Sequence, residues 1–109
     1  MTQFEGREKA YEKEFARNEE FDFKVVARRN KLLGLWAAEK IGLSGDDALA
    51  YAKEVIISDF EEAGDDDVYR KVKADLDAKR LDISEHQVRR EMEDFLSIAR
   101  DQMTAELKG

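Results

Sequence analysis

The sequence predicts an all-α protein built as a four-helix bundle, and three observations carry that prediction. Apolar residues recur at helical spacing in four separate stretches, no proline interrupts any of them, and glycines stand at two of the junctions between them. With 42% apolar and 41% charged residues, the 109-residue chain is long enough to bury a core as one domain without staples. It contains no cysteine, so no disulfide framework is available, and a reducing, cytoplasmic compartment is the expectation. No apolar run reaches the roughly 20 residues of a membrane span, and the N-terminus lacks the apolar stretch of a secretory signal.

The first bundle helix is FDFKVVARRNKLLGLWAAEKI. Phe21, Leu32 and Trp36 fall within about 40° of Val25 on a helical wheel, and Gly42 stops the helix. Ser44 followed by Asp47 is a capping-box-like start for a second helix, whose stripe of Leu49, Ala52, Ile56, Phe60 and Ala63 runs to Gly64. The run Asp65, Asp66, Asp67 supplies an N-cap and first-turn acids for a shorter third helix carrying Val68, Val72 and Leu76. After the connector RLDI, Ser84 and Gln87 make a capping box for a long fourth helix with Val88, Met92, Phe95, Leu96, Ala99 and Met103. Breaks are therefore expected near Gly42 to Ser44, at Gly64 and from Leu81 to Ser84, with Trp36 substantially buried.

The opening segment, FEGREKAYEKEF, fits that bundle poorly. Phe4, Tyr11 and Phe15 form a seam only about 40° wide, rotated by roughly 70° from the stripe of the helix that follows. A straight continuation could not bury both faces in one core. The sequence therefore divides into an arm, residues 1–20, and a bundle, residues 21–109. The arm is either a frayed, solvated extension or a segment that folds on a partner, with the three rings as anchors in a groove and the charges as a polar rim.

Charge is uneven. The net charge is −7, yet residues 21 to 42 carry Lys24, Arg28, Arg29, Lys31 and Lys40 against Asp22 and Glu39. An acidic protein with one short basic island is not expected to bind nucleic acid, which needs a continuous basic surface. Within the island, Arg29 sits inside the apolar stripe, where an always-charged guanidinium requires a carboxylate, a phosphate or a route to water. The ordinary structural reading is a salt bridge to an acid of the second or fourth helix. The alternative is an anion site in which Lys24, Arg28, Arg29 and Lys31 hold a nucleotide phosphate weakly at the bundle surface, without a glycine loop to cradle it.

Catalytic chemistry is missing from the pattern. There is no thiol, no glycine-rich phosphate loop and no Glu-x-x-His pair for a di-iron site, and the single histidine, His86, lies in the first turn of the last helix. The Asp65 to Asp67 run lacks the alternating oxygen ligands and distal glutamate of a calcium loop. The chain is not expected to be an enzyme or to need a cofactor.

The blocks REKAYEKEFARNEE, FKVVARRNKLLGLWAAEKIGLSGDDALAYAKEVI, FEEAGDDDVYRKVKADL and ISEHQVRREM resemble the zeta subunit of alphaproteobacterial F1Fo-ATP synthases. The resemblance covers nearly the whole chain, and ARRNKLLGLWAAE followed by GLSG is its most specific part. It implies a four-helix bundle with a mobile, partly helical N-terminal arm that inhibits ATP hydrolysis. In the family the arm enters the interface of an alpha and a catalytic beta subunit near the central stalk, which the gamma subunit provides, and blocks hydrolytic rotation. That implies a protein peripheral on the F1 sector at the inner membrane, without direct membrane insertion. It suggests Phe4, Arg7, Lys9, Tyr11, Phe15 and Arg17 as partner-binding residues, with weak ADP or ATP binding at the basic island as the competing reading. Gly6 stands where the family pattern leads one to expect an acid, and glycine lowers helix propensity by up to about 1 kcal/mol relative to alanine.

Overall fold

A computed structural model describes the backbone of residues 2–61 and 64–108 and the side chains of residues 19–61 and 64–107. Four helices follow in order: α1 Thr2–Ile41, α2 Gly45–Ser58, α3 Asp66–Ala78 and α4 Glu85–Lys108. α1 shows no break at residue 20, so the division between arm and bundle is not a helix boundary. Lateral packing changes further along: Glu19 and Glu20 are exposed, Phe21 is half-buried, and Val25 is the first fully buried residue among those described. The expected mobility of the arm concerns residues outside the described side chains.

α1 packs along α2 on one side and α4 on the other, while α3 touches all three of its neighbours. The backbones of α2 and α4 do not approach one another closely. On one flank α3 fills the space between them; on the opposite flank the surface of α1 is left as an open floor.

The core is continuous, with Leu33, Ala37 and Ala38 of α1 meeting Tyr51 and Val55 of α2, Val68, Val72 and Leu76 of α3, and Val88 and Met92 of α4. All three apolar residues expected for α3 are fully buried. In α4, Val88, Met92 and Ala99 are buried, and Phe95, Leu96 and Met103 are half-buried. Trp36 is half-buried and packs against the core rather than within it.

α2 differs from expectation. It ends at Ser58 rather than near Gly64, and its core face is Tyr51, Ala52, Val55 and Ser58. Leu49 and Phe60 are exposed and Ile56 is half-buried; Ala63 lies outside the described residues. The reason is the closeness of α1. A Cβ added to buried Gly34 would lie 2.7 Å from Ala52 Cα and 3.3 Å from Val55 Cγ2, so α1 and α2 approach closely where Gly34 meets Ala52. Tyr51 is retained on this face because its hydroxyl donates to Asp75 Oδ2 at 2.8 Å, and Lys71 binds the same carboxylate at 2.9 Å. Burial, first, and the hydrogen bond to Asp75 push the Tyr51 hydroxyl pKa up.

Turn chemistry accounts for the helix ends. Gly42 takes φ 97°, and the Leu43 amide donates to Ala38 O at 2.8 Å, the bond that closes a Schellman motif. Ser84 Oγ accepts the Gln87 amide at 3.1 Å, as its capping box requires. Ser44 is the N-cap of α2 but makes no side-chain cap bond. No helix among the described residues is long and apolar enough to cross a membrane.

Candidate functional site

Arg28 and Arg29 begin from the same backbone and point to opposite sides of α1. Arg29 is 1% exposed. Its Nε donates to Asn30 Oδ1 at 2.8 Å and its Nη2 to Asp65 Oδ1 at 2.8 Å. Asn30, equally buried, donates from Nδ2 to Asp59 Oδ2 at 3.1 Å. This seam ties α1 to both ends of the connection between α2 and α3. The Arg29 partner is therefore an acid just before α3, not one on the second or fourth helix. Engaged in this way, the Asp65 carboxylate makes no cap bond to α3, and Asp67 Oδ1 accepts the Val68 amide at 2.8 Å instead.

The seam is electrostatically graded. The Arg29 hydrogen bond, supported by that guanidinium's charge and by Arg89, holds the Asp65 carboxyl below its usual range against the opposing effect of burial. Burial pushes Asp59 up, with the Asn30 hydrogen bond acting in the other direction. No buried side-chain nitrogen or oxygen among the described residues lacks a partner. A satisfied, sequestered guanidinium of this kind acts as an interhelix tie.

On the other side of α1, Lys24, Arg28 and Lys31 share one cleft of about 510 Å³ with Phe23, Ala27, Ile56, Met103 and Glu106. Arg28 is bidentate to Glu106, with Nη1 at 2.6 Å from Oε1 and Nη2 at 3.1 Å from Oε2, which fastens α1 to the last turns of α4. Lys24 pairs with Glu20 one turn earlier at 3.1 Å. A second cleft of about 490 Å³ adjoins the first through Lys31 and Ile56, and adds Asp46, Leu49, Ala50, Ala52 and Lys53.

Of the four cations singled out in the sequence, the fold brings together Lys24, Arg28 and Lys31 and removes Arg29 to the interior. Phe4, Arg7, Lys9, Tyr11, Phe15 and Arg17 lie outside the described side chains. Sequence reasoning missed the cleft because Leu49 and Ile56 were assigned to the core. The available signal was an excess of apolar residues on α1 and α2 beyond one stripe, of which Phe23 remains 63% exposed.

A family model described as ATPase inhibitor subunit zeta matches residues 1–102. Among solved structures, the chain is similar to one described as the solution NMR structure of the protein, at 55% identity and a TM-score of 0.68, over 77% of this chain and 95% of that one. No curated protein matches.

Proposed function

This chain belongs to the ATPase inhibitor subunit zeta family, and from that membership we propose that it restrains ATP hydrolysis by the F1 motor through its N-terminal arm, residues 1–20. The observation that carries this reading is the extent of the family match, which begins at residue 1 and so includes the arm with the bundle. Among the described residues the first fully buried one is Val25, which lies beyond the arm.

In this reading Phe4, Tyr11 and Phe15 anchor the arm between an alpha and a catalytic beta subunit near the gamma stalk. Arg7, Lys9 and Arg17 pair with acids at that boundary. A cleft that opens and closes during rotation accepts the arm in one state and resists the next, so inhibition follows from differential affinity and requires no catalytic residue. Ordering the arm costs several kcal/mol, which the aromatic contacts offset. The protein would be found at the inner membrane through F1.

The test is a titration of F1-catalysed ATP hydrolysis with the full chain, with a chain lacking residues 1–17, and with Tyr11→Ala and Phe15→Ala. The deletion is expected to unfold at nearly the parent temperature yet fail to inhibit. Each aromatic substitution should weaken inhibition about tenfold or more, roughly 1.4 kcal/mol. If Tyr11→Ala and Phe15→Ala inhibit like the parent while Arg7→Ala or Lys9→Ala fails, recognition is electrostatic and the seam is not the anchor.

The competing nucleotide reading is favoured by one observation, the sharing of a cleft by Lys24, Arg28 and Lys31. Against it, Arg28 already holds a carboxylate, and Arg29 faces inward.

A further inference from the structure

Because the backbones of α2 and α4 flank α1 without approaching each other, clefts open between them on one side of the bundle. Phe23 and Ala27 of α1, Leu49 and Ile56 of α2, and Met103 of α4 floor the two adjoining clefts. Phe23 is 63% and Leu49 45% exposed; Ile57, Phe60, Ile98 and Leu107 are also exposed, but none of those four lines either cleft. A continuous apolar floor of this kind, rimmed by charge, is the form of a helix-receiving groove.

The rim is basic although the molecule is acidic. Lys24, Arg28, Lys31 and Lys53 line the clefts against Asp46 and Glu106, whereas the chain as a whole carries −7. Lys24 and Arg28 have carboxylate partners. For Lys31 and Lys53 the structure shows none among the described residues, and Lys31 is the residue the two clefts share. Two solvent-exposed ammonium groups without a carboxylate partner, beside an apolar floor, favour an occupant with an apolar stripe and an acidic flank. A second copy of this chain does not suit the site: two-fold association through the same patch would set one basic rim against another.

We propose that this groove docks an amphipathic helix of a partner protein, its apolar stripe on Phe23, Ala27, Leu49, Ile56 and Met103 and its acidic flank on Lys31 and Lys53. The contact is separate from that of the arm and does not depend on the arm's role. It would fix the position of the bundle through side chains on α1, α2 and α4, while residues 1–20 stay free to engage elsewhere.

The probe is an 18-residue helical peptide with a leucine stripe and glutamate flanks, alongside the same stripe with lysine flanks. Each is titrated into isotope-labelled full-length protein and followed by amide and methyl chemical shifts. The glutamate peptide is expected to shift the groove residues selectively, and binding should weaken as salt rises. The charge-reversed variant Lys31→Glu/Lys53→Glu, both sites being exposed and outside the core, should lose at least about tenfold in affinity for the glutamate peptide and gain affinity for the lysine peptide. Equal binding of both peptides, shifts outside the groove, or no binding at millimolar peptide would overturn the proposal. So would concentration-dependent self-association that disappears in Phe23→Ser, which would make a second copy the occupant. Shifts of Lys24, Arg28 and Lys31 produced by ADP or inorganic phosphate alone, with none from the glutamate peptide, would replace the helix with an anion.

Discussion

The two sides of α1 are made from interleaved residues of one short stretch and obey different rules. On the packed side, Val25, Arg29, Asn30, Leu33 and Gly34 are excluded from water, and Arg29, Asn30 and Gly34 are each constrained by a specific neighbour. On the open side, Lys24, Arg28 and Lys31 face a cleft in which water competes with every contact. Two adjacent arginines thus make ion pairs of similar length, 2.8 Å for Arg29 to Asp65 and 2.6 Å for Arg28 to Glu106, with very different consequences. Distance does not set the worth of an ion pair; the cost of leaving its charge unpaired does.

The sharpest test of that contrast is Arg29→Ala. The substitution empties a fully buried site and strips Asn30 of one partner, whereas the Asp65 side chain, 52% exposed, can be hydrated, so unfolding free energy should fall by about 2–4 kcal/mol, chiefly through the cavity and the lost buried contacts. Arg29→Met, which fills the volume without the charge, should recover part of the loss. Chemical denaturation of the three proteins checks this. If Arg29→Ala unfolds like the parent, the buried seam is not a structural tie.

Gly34→Ala comes next. The new Cβ would meet Ala52 Cα at 2.7 Å, and backbone cannot swing aside as a flexible side chain can. Separating α1 from α2 should cost about 1–3 kcal/mol, partly offset by up to about 1 kcal/mol of helix propensity. A net destabilisation is expected in thermal melts. Ala27→Gly on the open side, at a half-buried position, should lose about 1 kcal/mol, mainly of helix propensity.

Much of this architecture was legible in the sequence, and the parts that were not share a cause. α3 reads directly because Val68, Val72 and Leu76 make a single apolar stripe with no competing face. Gly42 and Ser84 read correctly because turn and cap chemistry is local. α2 does not, because its buried face, Tyr51, Ala52, Val55 and Ser58, depends on partners distant in sequence: Gly34, eighteen positions before Ala52, and Asp75, which holds the Tyr51 hydroxyl. Arg29 could be recognised as needing a partner, but choosing Asp65 over the many other acids requires the path of the α2–α3 connection. The cleft is invisible to any single helix, since Phe23, Ile56 and Met103 come from three of them.

A smaller effect should follow acidification, and its sign differs between the two acids of the seam. Asp65 is held down by Arg29, so its stabilising contribution is present above the unfolded carboxylate pKa of about 3.9 and is lost as pH falls through its lower folded value. Asp59 is pushed up by burial, so the folded state takes up its proton first, and protonation there favours folding as pH falls towards the unfolded value. In Asp65→Asn the decline below about pH 4 should therefore be shallower than in the parent. In Asp59→Asn any gain on mild acidification should disappear. Denaturation midpoints across pH 3 to 7 for the three proteins separate the two contributions, and identical profiles would show that the seam does not titrate with folding.

The smallest effect is expected for Arg28→Ala, the partner of the first comparison. Its guanidinium is bidentate and its side chain 30% exposed, but Glu106 is 57% exposed and lies on the last turns of α4, where water can replace either group. Removing the pair leaves no buried charge behind. The loss should stay within about 1 kcal/mol and shrink with added salt, because surface pairs are screened. The double variant Arg28→Ala/Glu106→Ala distinguishes the pair from the packing of the arginine stem along the cleft, since a true pair makes the two single losses less than additive. Should Arg28→Ala prove as damaging as Arg29→Ala, the open side of α1 would have to be structural, and the groove built on it would lose its claim to be a surface left free for a partner.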